Sequence, residues 1–225
     1  MEVSRFRVSA RFSRQGVTVV ALLIVVAVSG IAVGYGIEST VPSAPQKTTT
    51  SSSSAQTPYV LNLVIATNSV YNSSQGAQPA YFVLGPGGLE SSANISLPAN
   101  RLIKLVIFCY DDGNASLLVS NDNKVSGTTD GSIFVASNSN INASQGSSGI
   151  VINGGQNLTS VPAADVAHTF TIPSLNLNIP VPLSSTVVAY FTITKSGTYL
   201  WFCETSCGDA PMSTPGWMRG SVVVQ

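Results

Sequence analysis

The sequence predicts an all-β sandwich domain standing behind a single N-terminal transmembrane helix. Three observations lead there. From Tyr59 onward, short apolar runs alternate with clusters of Gly, Pro, Asn and Ser, the pattern of strands separated by turns. Outside residues 16–37, no stretch sustains the 3.6-residue apolar period of an amphipathic helix. Gly16–Ile37 itself (GVTVVALLIVVAVSGIAVGYGI) is apolar over more than the ~20 residues a helix needs to cross a hydrocarbon core.

Arg5, Arg7, Arg11 and Arg14 precede that apolar segment and no basic residue closely follows it. The positive-inside rule therefore puts residues 1–15 in the cytoplasm and the remainder outside. A cleavable signal peptide is the competing reading, but its apolar region runs about 7–15 residues and ends in an A-x-A-like site. This one is longer and has no such site, so an uncleaved, single-pass cell-membrane anchor is expected. Residues 38–58 (ESTVPSAPQKTTTSSSSAQTP) are Ser/Thr/Pro-rich and read as a flexible stalk. N-x-[ST] sequons at Asn72, Asn94, Asn114, Asn142 and Asn157 agree with an extracytoplasmic, glycosylated domain over 59–225.

Within that domain the expected strands are Tyr59–Ala66, Tyr81–Leu84, Leu102–Tyr110, Leu117–Ser120, Ile133–Ala136, Ile150–Ile152, Val166–Ile172, Val187–Thr194, Thr198–Phe202 and Ser221–Val224. Ser137–Gly149 reads as a long loop. Side chains alternate faces along a strand. Lys104 marks the wet face of its strand, so Ile103, Leu105, Ile107 and Cys109 point inward. Val166, His168, Phe170 and Ile172 form another inward set. Tyr199, Trp201 and Cys203 share one face, which allows His168 and Cys203 to meet in the same interior.

Composition narrows the function. Of 225 residues only 9% are charged, against about a quarter in typical soluble proteins. Ten basic residues balance ten acidic ones, so no basic surface exists to hold nucleic acid. No nucleophile elbow, phosphate loop, zinc spacing or calcium loop occurs. Asp111-Asp112-Gly113 reads as a turn, and Cys109 as a buried structural thiol. Trp201 and Trp217 read as packing residues.

The rare residues are concentrated. His168 is the single histidine, Cys203 and Cys207 are two of three cysteines, and Met212 and Met218 follow within eleven positions. Imidazole and soft sulfur together are a copper ligand set. A strand ending in a cysteine, a methionine-bearing loop and a distant histidine are the order a blue-copper site needs. The same two cysteines, four apart in an exported domain, also have the spacing of a disulfide across a tight turn.

At DVAHTFTIP (Asp165–Pro173) and GTYLWFCETSCG…MRGSVVV (Gly197–Val224) the chain resembles the two signature blocks of cytochrome oxidase subunit II and, more broadly, the cupredoxin fold. The resemblance implies a cupredoxin-like Greek-key sandwich holding copper, either as a binuclear CuA-like centre or as a mononuclear site. It places ligands at His168, at Cys203 and Cys207 (the bridging thiolates), at Thr205 through its backbone carbonyl, and at Met218. The family's second histidine, a few residues after the second cysteine, has no counterpart in GDAPMSTPGW. Met212 is the residue placed to take that position; Asp209 would be a harder oxygen ligand. The implied role is a membrane-anchored, non-catalytic electron-entry subunit. It would take electrons from a small redox protein or another donor and pass them to a terminal oxidase of the respiratory chain. A copper-free scaffold with a Cys203–Cys207 disulfide and a structural or assembly role is the alternative that the missing histidine leaves open.

Overall fold

Period-two alternation of apolar residues builds sheets only where two such faces can be laid together, and the chain from Tyr59 onward supplies both faces. A computed structural model of the protein describes residues 56–72, 76–143 and 150–225. The basic N-terminus, the expected anchor at 16–37 and the stalk as far as residue 55 lie outside the described residues. Among the described residues no helix is long and apolar enough to cross a membrane.

The strands, in chain order, are β1 (Tyr59–Asn72), β2 (Gly76–Gly85), β3 (Gly88–Ser91), β4 (Asn94–Leu97), β5 (Leu102–Cys109), β6 (Ile133–Ser137), β7 (Ile141–Ala143), β8 (Ile150–Ile152), β9 (Gln156–Leu158), β10 (Val166–Ile172), β11 (Leu177–Pro182), β12 (Ser185–Thr192), β13 (Gly197–Phe202) and β14 (Arg219–Val224). A five-residue helix, α1 (Asp209–Ser213), lies between the last two. One sheet runs β3-β2-β1-β5-β12-β6-β9 and the other β11-β10-β13-β14-β4. The chain changes sheet repeatedly, and β1–β5 and β14–β4 pair in parallel.

The main core lies between the sheets. Ile103, Leu105, Ile107 and Cys109, the inward set expected from the alternation, are all 0% exposed. They face Phe170, Ile172, Trp201 and Val222 within one apolar cluster. The opposite face of β5 is not wet throughout: Val106 and Phe108 are also buried, in a second cluster with Val64 and Val188, packed by Leu84, Phe134 and Ile152. Alternation missed this because it assumes one dry face per strand, whereas a second layer of apolar side chains covers this sheet.

Three other expectations change. Leu117–Ser120 is not a strand; it meets the rest of the fold through one isolated bridge, Leu117 to Thr205. Within the expected loop at Ser137–Gly149, Ile141–Ala143 forms β7, which pairs antiparallel with β8. LNIPVP, where no strand is expected, forms β11 at the edge of its sheet, where a residue lacking an N–H is tolerated.

Candidate metal centre

The centre forms where two adjacent strands part. The pairing of β10 with β13 is made at Thr171 and Phe202; beyond it, β13 ends and the chain turns into the loop carrying Cys203 and Cys207. Two residues back along β10, Thr169 has lost its strand partner on that side. Its N–H is directed to Cys203 Sγ at 3.4 Å, and its carbonyl accepts the Tyr81 hydroxyl at 2.9 Å. A sulfur and a phenol thus satisfy backbone groups that a longer ladder would have paired.

Around that opening the expected ligands converge. His168 Nδ1 lies 3.2 Å from Cys207 Sγ and 3.7 Å from Cys203 Sγ, and the two sulfurs are 3.5 Å apart. All three cysteines of the chain are free thiols. The Thr205 hydroxyl donates to the Ala167 carbonyl at 2.9 Å and stands 3.2 Å from each sulfur. The resemblance implied the Thr205 carbonyl as a ligand; it is the side chain whose contacts reach the sulfurs.

The loop is held at both ends. Cys203 N–H donates to the Met218 carbonyl at 2.8 Å, and Met218 N–H to Pro211 at 3.2 Å. The strap at 116–118 bonds the middle of the loop through Leu118 N–H to Glu204 and Ser206 N–H to Ser116, both at 2.9 Å. Gly208, at φ 91°, turns the chain from Cys207 into α1, a conformation that suits glycine. Met218 is fully buried beside the loop, and Met212 sits half-buried on α1. The structure therefore gathers the side chains of His168, Cys203, Thr205 and Cys207. It ties Met218 to Cys203 through the backbone and leaves Met212 on the flanking helix.

One neighbour was invisible in sequence. His168 Nε2 contacts Asp111 Oδ2 at 2.9 Å, from a residue 57 positions away. At Asp111-Asp112-Gly113, where a turn is expected, the chain is irregular and closed only by Gly113 N–H to Asp111 Oδ1 at 2.9 Å, and nothing in that sequence announces a histidine brought by another sheet. Behind the imidazole, Tyr81 meets it edge-on at 6.3 Å and Trp201 at 5.2 Å, while Phe170 stacks on Trp201 at 5.3 Å.

The electrostatics are those of a coupled group. Burial alone would lower the His168 pKa, but hydrogen bonds to Asp111 and Cys203 outweigh it and hold the ring at about 9, against an ordinary 6.5. Burial alone would raise Cys203; the hydrogen bonds from Cys207 and His168 and the charge of the imidazolium bring it well below the usual thiol range. Cys207 is pushed up by its hydrogen bond to Cys203 and by burial, so it keeps the proton it shares with that thiolate. The partnership with His168 lowers Asp111. Cys109, by contrast, is raised to about 12 by burial, as an inert core thiol should be.

These donors fit a metal ion. His168, Cys203 and Cys207 form the one His/Cys/Asp/Glu group able to hold one among the described residues. A triangle with edges of 3.2, 3.5 and 3.7 Å has its corners about 2.0 Å from its centre, matching the roughly 2.0–2.3 Å reach of nitrogen and sulfur donors to a first-row metal. Two sulfurs and one imidazole make a soft set. All three residues are nearly sealed, at 1%, 0% and 6% exposure respectively.

No protein-family model matches the chain, and no curated protein matches it. Solved structures similar to it include the periplasmic domain of subunit II of cytochrome oxidase from Bradyrhizobium japonicum, at 12% identity over 73% of this chain and 83% of that one, with a TM-score of 0.30. Rusticyanin from Thiobacillus ferrooxidans is 13% identical over 74% and 76% of the two chains, TM-score 0.33. Auracyanin B is 15% identical over 76% and 91%, TM-score 0.31.

Proposed function

We propose that this chain is a copper-binding electron-transfer protein with a cupredoxin-like Greek-key domain. Its metal is held by Cys203, Cys207 and His168, with Met218, Met212 and Thr205 as the further candidate donors. The observation that carries the reading is a buried triangle of two thiols and one imidazole, already spaced for a metal, at the end of a rigid sandwich. Copper supplies the one-electron chemistry when bound, and soft sulfur favours Cu(I) while imidazole suits both oxidation states. The protein's part is to hold the donors still and exclude water. Cys203 is fixed by Met218 and Thr169, and His168 by Asp111. The wall of Tyr81, Trp201 and Phe170 keeps the surroundings of low polarity. Ligands with so little exposure suit transfer of an electron better than turnover of a bound substrate.

On the same reading, residues 16–37 anchor the domain in the cell membrane with residues 1–15 in the cytoplasm. The stalk at 38–58 carries residues 59–225 on the outer side. A donor, such as a small redox protein, delivers electrons to the centre, and a terminal oxidase subunit in the membrane receives them.

The test is a copper count, a visible spectrum and reversible one-electron reduction of the copper-loaded full chain. One bound copper with a thiolate-to-copper band indicates a mononuclear centre, and two indicate a CuA-like one. A colourless, copper-free chain with Cys203 and Cys207 oxidised to each other would replace this reading with that of a scaffold subunit.

A further inference from the structure

We infer that Asp111 is the positioning residue of the centre: it selects the ring nitrogen with which His168 faces the two thiols. The inference rests on the metal-site reading above and adds to it a residue that lies outside both resemblance blocks.

A neutral imidazole carries its proton on one nitrogen and offers the other as a ligand, and the partner of the first decides which is which. Here Nδ1 faces Cys207 and Cys203, and Nε2 faces Asp111 Oδ2 at 2.9 Å. Of the two anionic acceptors that face the ring, the Asp111 carboxylate is the closer, at 2.9 Å against 3.7 Å for Cys203 Sγ, so it keeps the proton on Nε2 and leaves the Nδ1 lone pair toward the sulfurs.

Asp111 is itself built into place. Its other oxygen, Oδ1, accepts Gly113 N–H at 2.9 Å, closing the Asp-Asp-Gly turn. Its backbone carbonyl accepts Ser184 N–H at 2.7 Å, pinning the turn to the start of β12. Asn114 then reaches across to the Ala164 carbonyl at 2.8 Å, fastening the same segment to the approach to β10. Two strands and the turn after β5 thus fix one carboxylate against one ring edge. The side chain of Asp111 is 18% exposed and that of His168 2%, so the carboxylate stands where the buried ring meets solvent. Without it, water would reach Nε2, the ring would lose its fixed proton, and either nitrogen would be free to turn toward the sulfurs.

Because His168 is the single histidine of the chain, ¹⁵N-histidine labelling reports on it with no assignment problem. Two measurements on the full chain test the inference, each on wild type, Asp111→Ala and Asp111→Asn. In metal-free protein above the pKa of the ring, wild type should show one tautomer, Nε2–H, and Asp111→Ala a mixture. In a Cu(I) competition titration, Asp111→Ala should bind about 10–100-fold more weakly, the usual cost of removing such a partner. Asp111→Asn has one acceptor oxygen for two donors, Gly113 N–H and His168 Nε2–H, so it should fall in the same direction while preserving the shape of the turn. An unchanged tautomer together with unchanged Cu(I) affinity in both variants would overturn the inference. A wild type that binds no copper but shows the Asp111-dependent tautomer would refute the copper reading and leave the positioning role standing.

Discussion

Tyr81→Phe isolates one hydroxyl at the base of the centre. The ring of Tyr81 is completely buried against His168, Phe170 and Trp201, and phenylalanine keeps that packing, so the apolar contribution changes little. What disappears is the donor to the Thr169 carbonyl at 2.9 Å. No strand can replace it: the N–H and carbonyl of Thr169 both point away from β11, toward Cys203 and Tyr81, and on that side β13 has already ended. A buried carbonyl left unpaired costs about 1–3 kcal/mol. For a domain of this size each kcal/mol lowers the melting temperature by roughly 2–4 °C, so a drop of roughly 2–12 °C is expected. Urea unfolding of metal-free wild type and Tyr81→Phe should give a lower midpoint at equal slope, equal slope meaning that the same surface is exposed on unfolding. A stability change below about 0.5 kcal/mol would refute the claim that the phenol caps a backbone group orphaned by the parting strands.

Cys203→Ser and Cys207→Ser should each weaken and shift the thiolate-to-copper band, whereas Cys109→Ser, whose thiol lies in the core between the sheets, should leave the band and the copper stoichiometry unchanged; equal spectra in all three variants would count against the assignment. In the metal-free chain, the raised pKa of His168 contributes stability that is complete below about 6.5 and lost as pH climbs through about 9. The lowered pKa of Cys203 contributes stability complete above 9.0 and lost as pH falls. The proton His168 gains is one Cys203 gives up, so stability from the pair should be level between those limits, decline as pH falls below about 6.5, and gain nothing further above about 9. Urea midpoints measured across that range would show it, and a midpoint still rising above pH 9 would contradict it. Gly220→Ala should destabilise the fold by about 1–3 kcal/mol, since a Cβ there would stand 2.6 Å from both the Ser92 carbonyl and Trp201 Nε1; a neutral effect on thermal unfolding would show that the segment at 92–93 yields.

The parts of the centre that the sequence disclosed are those set by local spacing. His168 and Phe170 fall on one face of β10, where alternation holds from His168 onward past an irregularity at Val166, and Cys203 follows directly on the end of β13, two residues after the buried Trp201. Asp111 escaped because its role depends on the turn after β5 being carried to a strand of the other sheet, and no spacing within the chain encodes that. β11 escaped because Pro180 and Pro182 argue against a strand unless the strand is known to be an edge. The opposite error occurred at Leu117–Ser120: its apolar residues fit a strand, yet its hydrogen bonds go to the cysteine loop, and Leu118 and Val119 are left exposed.

The most direct test of the central claim is copper-edge X-ray absorption on the copper-loaded full chain, which counts sulfur and nitrogen around the metal. Two sulfurs and one imidazole nitrogen per copper, at roughly 2.0–2.3 Å, with the sulfur contribution reduced in both Cys203→Ser and Cys207→Ser, is the result predicted from the triangle of His168, Cys203 and Cys207. A first shell of nitrogen and oxygen alone, unaltered in those variants, would show that the copper lies elsewhere and that the thiols do not hold it.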